Sequence, residues 1–149
     1  MSEDIKRQAL AHLNEQQAAL DAREHAAKIA REAAAKKRQE ALQKFLDLCA
    51  STIEPAMTEF RGYLDGQAIT GSFHKDFEDR PYPRMSFFFT SQERRNLASV
   101  EFKYTGDGDV DVQTKQGPAT SIGISMANKE VTKEAVQQTL LDVLKKLKL

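Results

Sequence analysis

Helix-breaking residues are missing from the first third of this sequence. No glycine or proline occurs in residues 1–54, whereas all seven glycines and all four prolines of the 149-residue chain lie in the remainder. The tract is rich in Ala, Glu, Gln, Lys and Arg, which favour helix. It therefore predicts one long helix, with Ser2 as its N-cap and the acidic Glu3 and Asp4 in its first turn.

Other features are also scarce. Cys49 is the one cysteine, which excludes a disulfide within the chain, and tryptophan is absent. No apolar run approaches the roughly 18 residues that cross a membrane, and the first residues are polar, unlike a secretion signal. Lys plus Arg equals Asp plus Glu at 22 each, so no excess of cations is available for bulk binding to nucleic acid. We expect a protein of the reducing cytoplasm without a membrane span.

A sevenfold repeat runs along the predicted helix. One heptad position is occupied throughout by leucine or alanine, at Leu13, Leu20, Ala27, Ala34, Ala41 and Leu48. The position three residues later holds mostly Gln, Arg and Lys, so the pattern is a weak, alanine-lined seam. Because a lone helix gains nothing from burial, we expect residues 1–40 to form a helical arm that pairs with a second helix, a homodimer being favoured. The alternative is a solitary helix stabilised by Glu–Lys pairs that recur every four residues between positions 24 and 44.

The helical pattern changes character after residue 40. Apolar residues spaced by three and four from Ala41 to Leu64 are typical of a helix docked on a core. Pro55 interrupts this run. It either begins a second helix that is capped by Ser51 or Thr52, or it kinks one continuous helix.

The second half of the chain predicts a sheet followed by a helix. Apolar residues alternate with polar ones in five short runs within residues 67–126, and short links between runs favour antiparallel neighbours. A last amphipathic helix begins at Asn128 or Thr132. The predicted fold class is α+β: a long N-terminal helix, an antiparallel five-stranded meander and a C-terminal helix, with the helices packed on one sheet face. Residues 1–40 form the arm, and residues 41–149 form a two-layer domain.

Titratable side chains are densest between the first two strands, in the loop from His74 to Arg84. Acid and base groups occur there together, which makes a small-ligand protein or an enzyme one alternative. However, no nucleophile elbow, phosphate-binding loop or zinc-ligand spacing accompanies them. The sequence therefore assigns no catalytic, cofactor-binding or metal-binding residue.

Phe88 is an aromatic residue on the side of its strand that is otherwise polar. Period two places Phe87 and Phe89 toward the core and Phe88 on the opposite face, where it is either a contact residue or covered by another segment. The favoured interpretation is a non-enzymatic interaction or adaptor protein that self-associates through its arm. The predicted partner-binding residues are Leu13, Leu20, Ala27, Ala34 and Phe88.

A short basic run supports another alternative, namely nucleic-acid binding. Lys36, Lys37 and Arg38 are consecutive on the predicted helix, and Arg94 and Arg95 are adjacent in a predicted connection between strands. A basic helix can lie along phosphates. Acidic side chains on the same helix and the zero net charge of the chain weaken the positive electrostatic potential of this run. Nucleic-acid binding therefore ranks below protein binding.

Overall fold

The computed structural model describes residues 2–78, 82–93, 96–106, 108–116 and 122–147. The chain divides into two compact units, Met1–Gln39 and Glu40–Leu149. The elements in chain order are α1 (Glu3–Leu48), a π-helical turn (Cys49–Ile53), α2 (Glu54–Leu64), β1 (Ile69–Asp76), β2 (Arg84–Ser91), β3 (Ala98–Tyr104), β4 (Asp109–Gln116), β5 (Ile122–Ala127), a 3₁₀ turn (Asn128–Glu130) and α3 (Lys133–Lys146).

Helix α1 begins as its sequence predicts. The Ile5 backbone N–H donates to the Ser2 hydroxyl oxygen at 3.3 Å, which satisfies one of the free donors of the first turn. Glu3 and Asp4 occupy that turn and place negative charge at the positive end of the helix dipole. The predicted Ser2 cap is therefore confirmed.

The chain passes Pro55 without a break. The Glu54 backbone N–H donates to the Cys49 carbonyl, five residues earlier, and Leu48, Ile53 and Glu54 all keep right-handed helical dihedrals. A proline cannot donate to the carbonyl four residues before it, and one widened turn accommodates that missing bond. The capping by Ser51 or Thr52 is wrong, because no side chain caps α2, and the helical backbone continues through Pro55, which lies in the first turn of α2; the kink stays a prediction.

The five strands form a single antiparallel meander in the order β1-β2-β3-β4-β5. Strand β2 shows the two faces most clearly, because Met85, Phe87 and Phe89 are fully buried while the residues between them are half-buried. Helices α2 and α3 both pack on the buried face, α2 against β1 and α3 against β3. The predicted helix–sheet–helix arrangement, with the helices on one face, is confirmed.

The core under α2 is built from stacked phenylalanines. The Phe60 ring of α2 meets Phe87 and Phe89 edge-on, with ring centroids 5.8 and 6.2 Å apart. Gly71 of β1 lies beneath this cluster, and a Cβ there would come within 2.9 Å of Phe87 Cε1 and 3.3 Å of Leu64 Cδ1. Glycine is therefore required at this position to let the Phe87 ring reach the strand backbone.

The last helix begins at the second of its two predicted start points. The Ala135 backbone N–H donates to the Thr132 hydroxyl at 3.1 Å, so Thr132 is the N-cap. Asn128 instead begins the short 3₁₀ turn that precedes α3. Val136 and Leu140 of α3 are fully buried and close the core over the middle of the sheet.

Candidate interaction surfaces

Large apolar side chains along the first unit are exposed to solvent. In α1, every residue before Ala41 is exposed, and Phe45 is the first to be buried. The exposed fractions lie between 51% and 61% for Ile5, Leu10, Leu13, Leu20 and Ile29. Isolated exposed apolar residues are ordinary, but those that share one side of a helix form a surface that can gain from burial.

The four predicted arm residues share one side of this helix. Successive residues are about 100° apart, so a sevenfold repeat drifts by roughly 20° per heptad. Leu13, Leu20, Ala27 and Ala34 therefore fall within a stripe about 60° wide. Ile29 lies about 180° from Leu20, on the opposite side of the helix. We call the four residues the arm stripe.

The second candidate surface is the face of the sheet that points away from α2 and α3. We call it the open face. Its floor is a shallow depression of about 370 Å³. The residues that line the depression are polar apart from Phe88; they are His74, Asp76, Arg84, Ser86, Phe88, Ser99, Glu101, Lys103, Gln113 and Lys115.

Phe88 is half-buried on the open face, so it is neither fully exposed nor fully covered by another segment. Its cross-strand neighbours are Ser72 on β1 and Ser99 on β3, two small side chains that leave its ring accessible. Position 88 therefore offers an aromatic surface that is bordered by hydroxyl groups. Aromatic side chains are enriched at the centres of protein–protein contacts, whereas serine is depleted there, so the Phe88 ring is the feature that favours a contact.

The predicted loop from His74 to Arg84 is shorter than expected, because His74 and Asp76 lie in β1 and Arg84 begins β2; these strand ends contribute an ion-pair cluster to the open face. The Arg84 guanidinium donates to Asp76 Oδ2 at 3.4 Å and to Glu101 Oε2 at 3.2 Å, so it bridges three strands. His74 lies on the same face, opposite Ser86. Both carboxylates therefore serve as partners of one cation in a shallow, solvent-open site; residues 79–81 lie outside the described residues.

The basic run does not present a single cationic face. Lys36, Lys37 and Arg38 are all exposed, but consecutive residues of a helix point about 100° apart. The three side chains therefore cannot all lie along one line of phosphates. Arg94 and Arg95 lie outside the described residues.

A polar cluster that the sequence analysis missed joins α2 to α3. The Tyr63 hydroxyl donates to Glu59 Oε1 at 2.7 Å, and Lys133 forms an ion pair with the same carboxylate. The hydrogen bond from Lys133, and then that from Tyr63, lowers the Glu59 pKa, while the bonds to Glu59 raise the pKa of Lys133 and of Tyr63. The spacing of Glu59 and Tyr63 by four residues was a visible signal, but Lys133 is distant in sequence.

The described residues hold neither a metal-binding cluster nor a helix that could cross a membrane. No three or more His, Cys, Asp or Glu side chains come together there in a way that would hold a metal ion. No described helix combines the length and apolar character that crossing a membrane requires. No family model, curated protein or solved structure matches this chain.

Proposed function

We propose that this protein is a non-enzymatic interaction protein that self-associates through the arm, residues 1–40, as a homodimer. The observation that carries the proposal is the exposure of the two arm-stripe leucines, Leu13 at 59% and Leu20 at 51%, on one uninterrupted helix. A long helix derives most of its stability in proteins from burying an apolar face. Pairing of two arm stripes would supply that burial, and the alanines at 27 and 34 would let two helices approach closely.

The proposal extends to a protein partner, for which the chain acts as an adaptor through the open face. The accessible Phe88 ring supports this role, since aromatic residues often anchor interfaces. The Asp76–Arg84–Glu101 cluster surrounds the depression with paired charges and supplies a polar rim. Cys49 is a buried free thiol, and the reducing cytoplasm is the proposed compartment.

Sedimentation velocity on the full chain and on a chain that begins at Ala41 tests self-association through the arm. The full chain is expected to sediment as a dimer and the shorter chain as a monomer. If both chains sediment as monomers, the arm does not pair with a second helix. If both chains sediment as dimers, the association surface lies within residues 41–149. Either result would contradict the proposal.

The partner surface is tested separately with Phe88→Thr in the full chain. Because Phe88 is half-buried and outside the core, we expect the variant to keep its fold and its oligomeric state. Chemical crosslinking in cell extract is expected to capture a partner with the wild-type chain and to lose it with the variant. Equal capture by both chains would exclude Phe88 from the interface.

A further inference from the structure

The two edges of the sheet are protected differently. At β1, Lys75 forms an ion pair with Glu54 of α2 at 2.7 Å, and the Arg61 guanidinium lies 4.9 Å from the centroid of the Phe73 ring. Helix α2 also packs directly against β1. This edge is therefore engaged by side chains and carries charge, which are two common ways in which proteins block strand addition.

Among the described residues, the edge at β5 has no ion pair or cation–π contact of this kind. Its sequence from Ile122 to Ala127, IGISMA, contains no charge and no proline. Strand β4 pairs with its inner side over six residues, and no other described strand pairs with its outer side. The backbone donors and acceptors on that outer side are the groups that an additional strand would bind.

Ile124 adds an apolar contact beside this edge. It lies opposite Val112, which is 2% exposed, so it belongs to the face that α2 and α3 cover. Ile124 is nevertheless 59% exposed. On the same face Met126 packs against the core, so the uncovered part of β5 is its middle, where a large aliphatic side chain stays exposed directly beside the unpaired edge.

Gly123 leaves a gap on the other face of the same strand. A Cβ at this position would be 3.6 Å from Asp111 Oδ1 and 3.9 Å from Gln113 Cγ, so the space above the glycine leads to a carboxylate. Asp111 is half-buried, and its other oxygen accepts a hydrogen bond from Gln113 at 3.2 Å. An added strand would lie about 10 Å from the backbone of β4, within reach of a lysine or arginine side chain that crosses Gly123.

We propose that β5 is a β-augmentation site for an extended peptide segment of another protein, in which an aliphatic residue is followed or preceded by a basic one. Successive side chains of a strand point to opposite faces, so the aliphatic residue would cover Ile124 while its neighbour reaches Asp111. The edge is six residues, about 20 Å, long, and one strand pair of that length buries less area than a stable dimer needs. A short peptide segment is therefore a better fit than a second copy of the chain.

Two acetylated and amidated hexapeptides test the site, one alternating valine with lysine and the other alternating valine with glutamate. Each is titrated into the ¹⁵N-labelled full chain, and amide shifts are followed by NMR. The valine–lysine peptide is expected to shift amides of residues 122–127 and to bind at least tenfold more tightly than the valine–glutamate peptide. Shifts confined to other residues, equal affinities or no binding of either peptide would overturn the proposal.

Three variants assign the result to the named side chains. Asp111→Asn is expected to abolish the tenfold preference while binding stays at β5, and Ile124→Lys is expected to weaken both peptides. Thr70→Lys, a matched change on the β1 edge, is expected to leave the affinities of both peptides unchanged. Each NMR spectrum also reports whether the variant is folded. Concentration-dependent shifts at β5 without peptide would make a second copy the occupant and would overturn the proposal, whereas arm pairing is measured independently by sedimentation.

Discussion

Replacing both leucines of the arm stripe with alanine is expected to dissociate the proposed dimer. Leu13 and Leu20 are 59% and 51% exposed in the single chain, so about half of each side chain remains to be buried on pairing. Leu→Ala removes about three carbon groups, worth roughly 2.4 kcal/mol if they are fully buried and about 1.3 kcal/mol at this exposure. Four such losses per dimer amount to about 5 kcal/mol, which raises the dimer Kd by three to four orders of magnitude.

Sedimentation equilibrium over a range of protein concentrations measures this Kd directly. Leucine and alanine have similar helix propensities, so the double variant should keep its helix content, which circular dichroism checks. Ile29→Ala is the matched control. Ile29 is 52% exposed on the same helix but lies on the side opposite Leu20, so its truncation should leave the Kd unchanged.

The reasoning would be refuted in either of two ways. If the double variant associates as tightly as the wild-type chain, the arm stripe is not the contact. If Ile29→Ala weakens association as much as the leucine changes do, the loss follows exposed apolar area in general and the heptad assignment is wrong.

Three further expectations concern other parts of the chain. Gly71→Ala should lower the free energy of unfolding by about 2 kcal/mol, because the added methyl collides with the fully buried Phe87 ring. Gly123→Ala should not destabilise the protein; urea unfolding measures both variants, and equal effects would contradict the prediction. Burial raises the Cys49 pKa to about 12 from 9.0, so the thiol of the folded protein should resist alkylation at pH 8, and rapid labelling would contradict this. Because the unfolded chain loses the thiol proton at a lower pH than the folded chain, the free energy of unfolding should fall as the pH rises from 9 toward 12. The full chain should bind neither DNA nor RNA at low salt; binding whose salt dependence weakens when residues 36–38 become glutamine would instead support the nucleic-acid alternative.

Local patterns were sufficient for the existence and type of the elements, but not for all of their ends. The absence of breakers before Pro55 predicted α1, and the alternation around Phe87 predicted β2, because side-chain direction repeats every 3.6 residues in a helix and every two in a strand. Ser2 acted as a cap, as its position before an acidic first turn indicated. Pro55 was ambiguous, since a missing donor can be accommodated by a break, a kink or a widened turn, and neighbouring packing decides among them.

Candidate site residues were predictable singly, but not as groups. The sequence marked Phe88 as an aromatic on a polar face, and register then placed it between two serines. Arg84 was visible only as one charge in a loop; its bridge to Glu101 depends on the register of β2 against β3. Lys133 and Glu59 meet because α2 and α3 pack side by side, a contact between elements far apart in the chain.

The sequence by itself determined which segments are helix or strand, which face of each is apolar, and that the first third of the chain can form one unbroken helix. These properties depend on residues a few positions apart. The tertiary structure alone decided that Gly71 makes room for Phe87, that Arg84 pairs with two carboxylates, and that the Ile124 side chain of β5 stays uncovered. Those outcomes depend on register and on how far one layer extends over another, which no local pattern encodes.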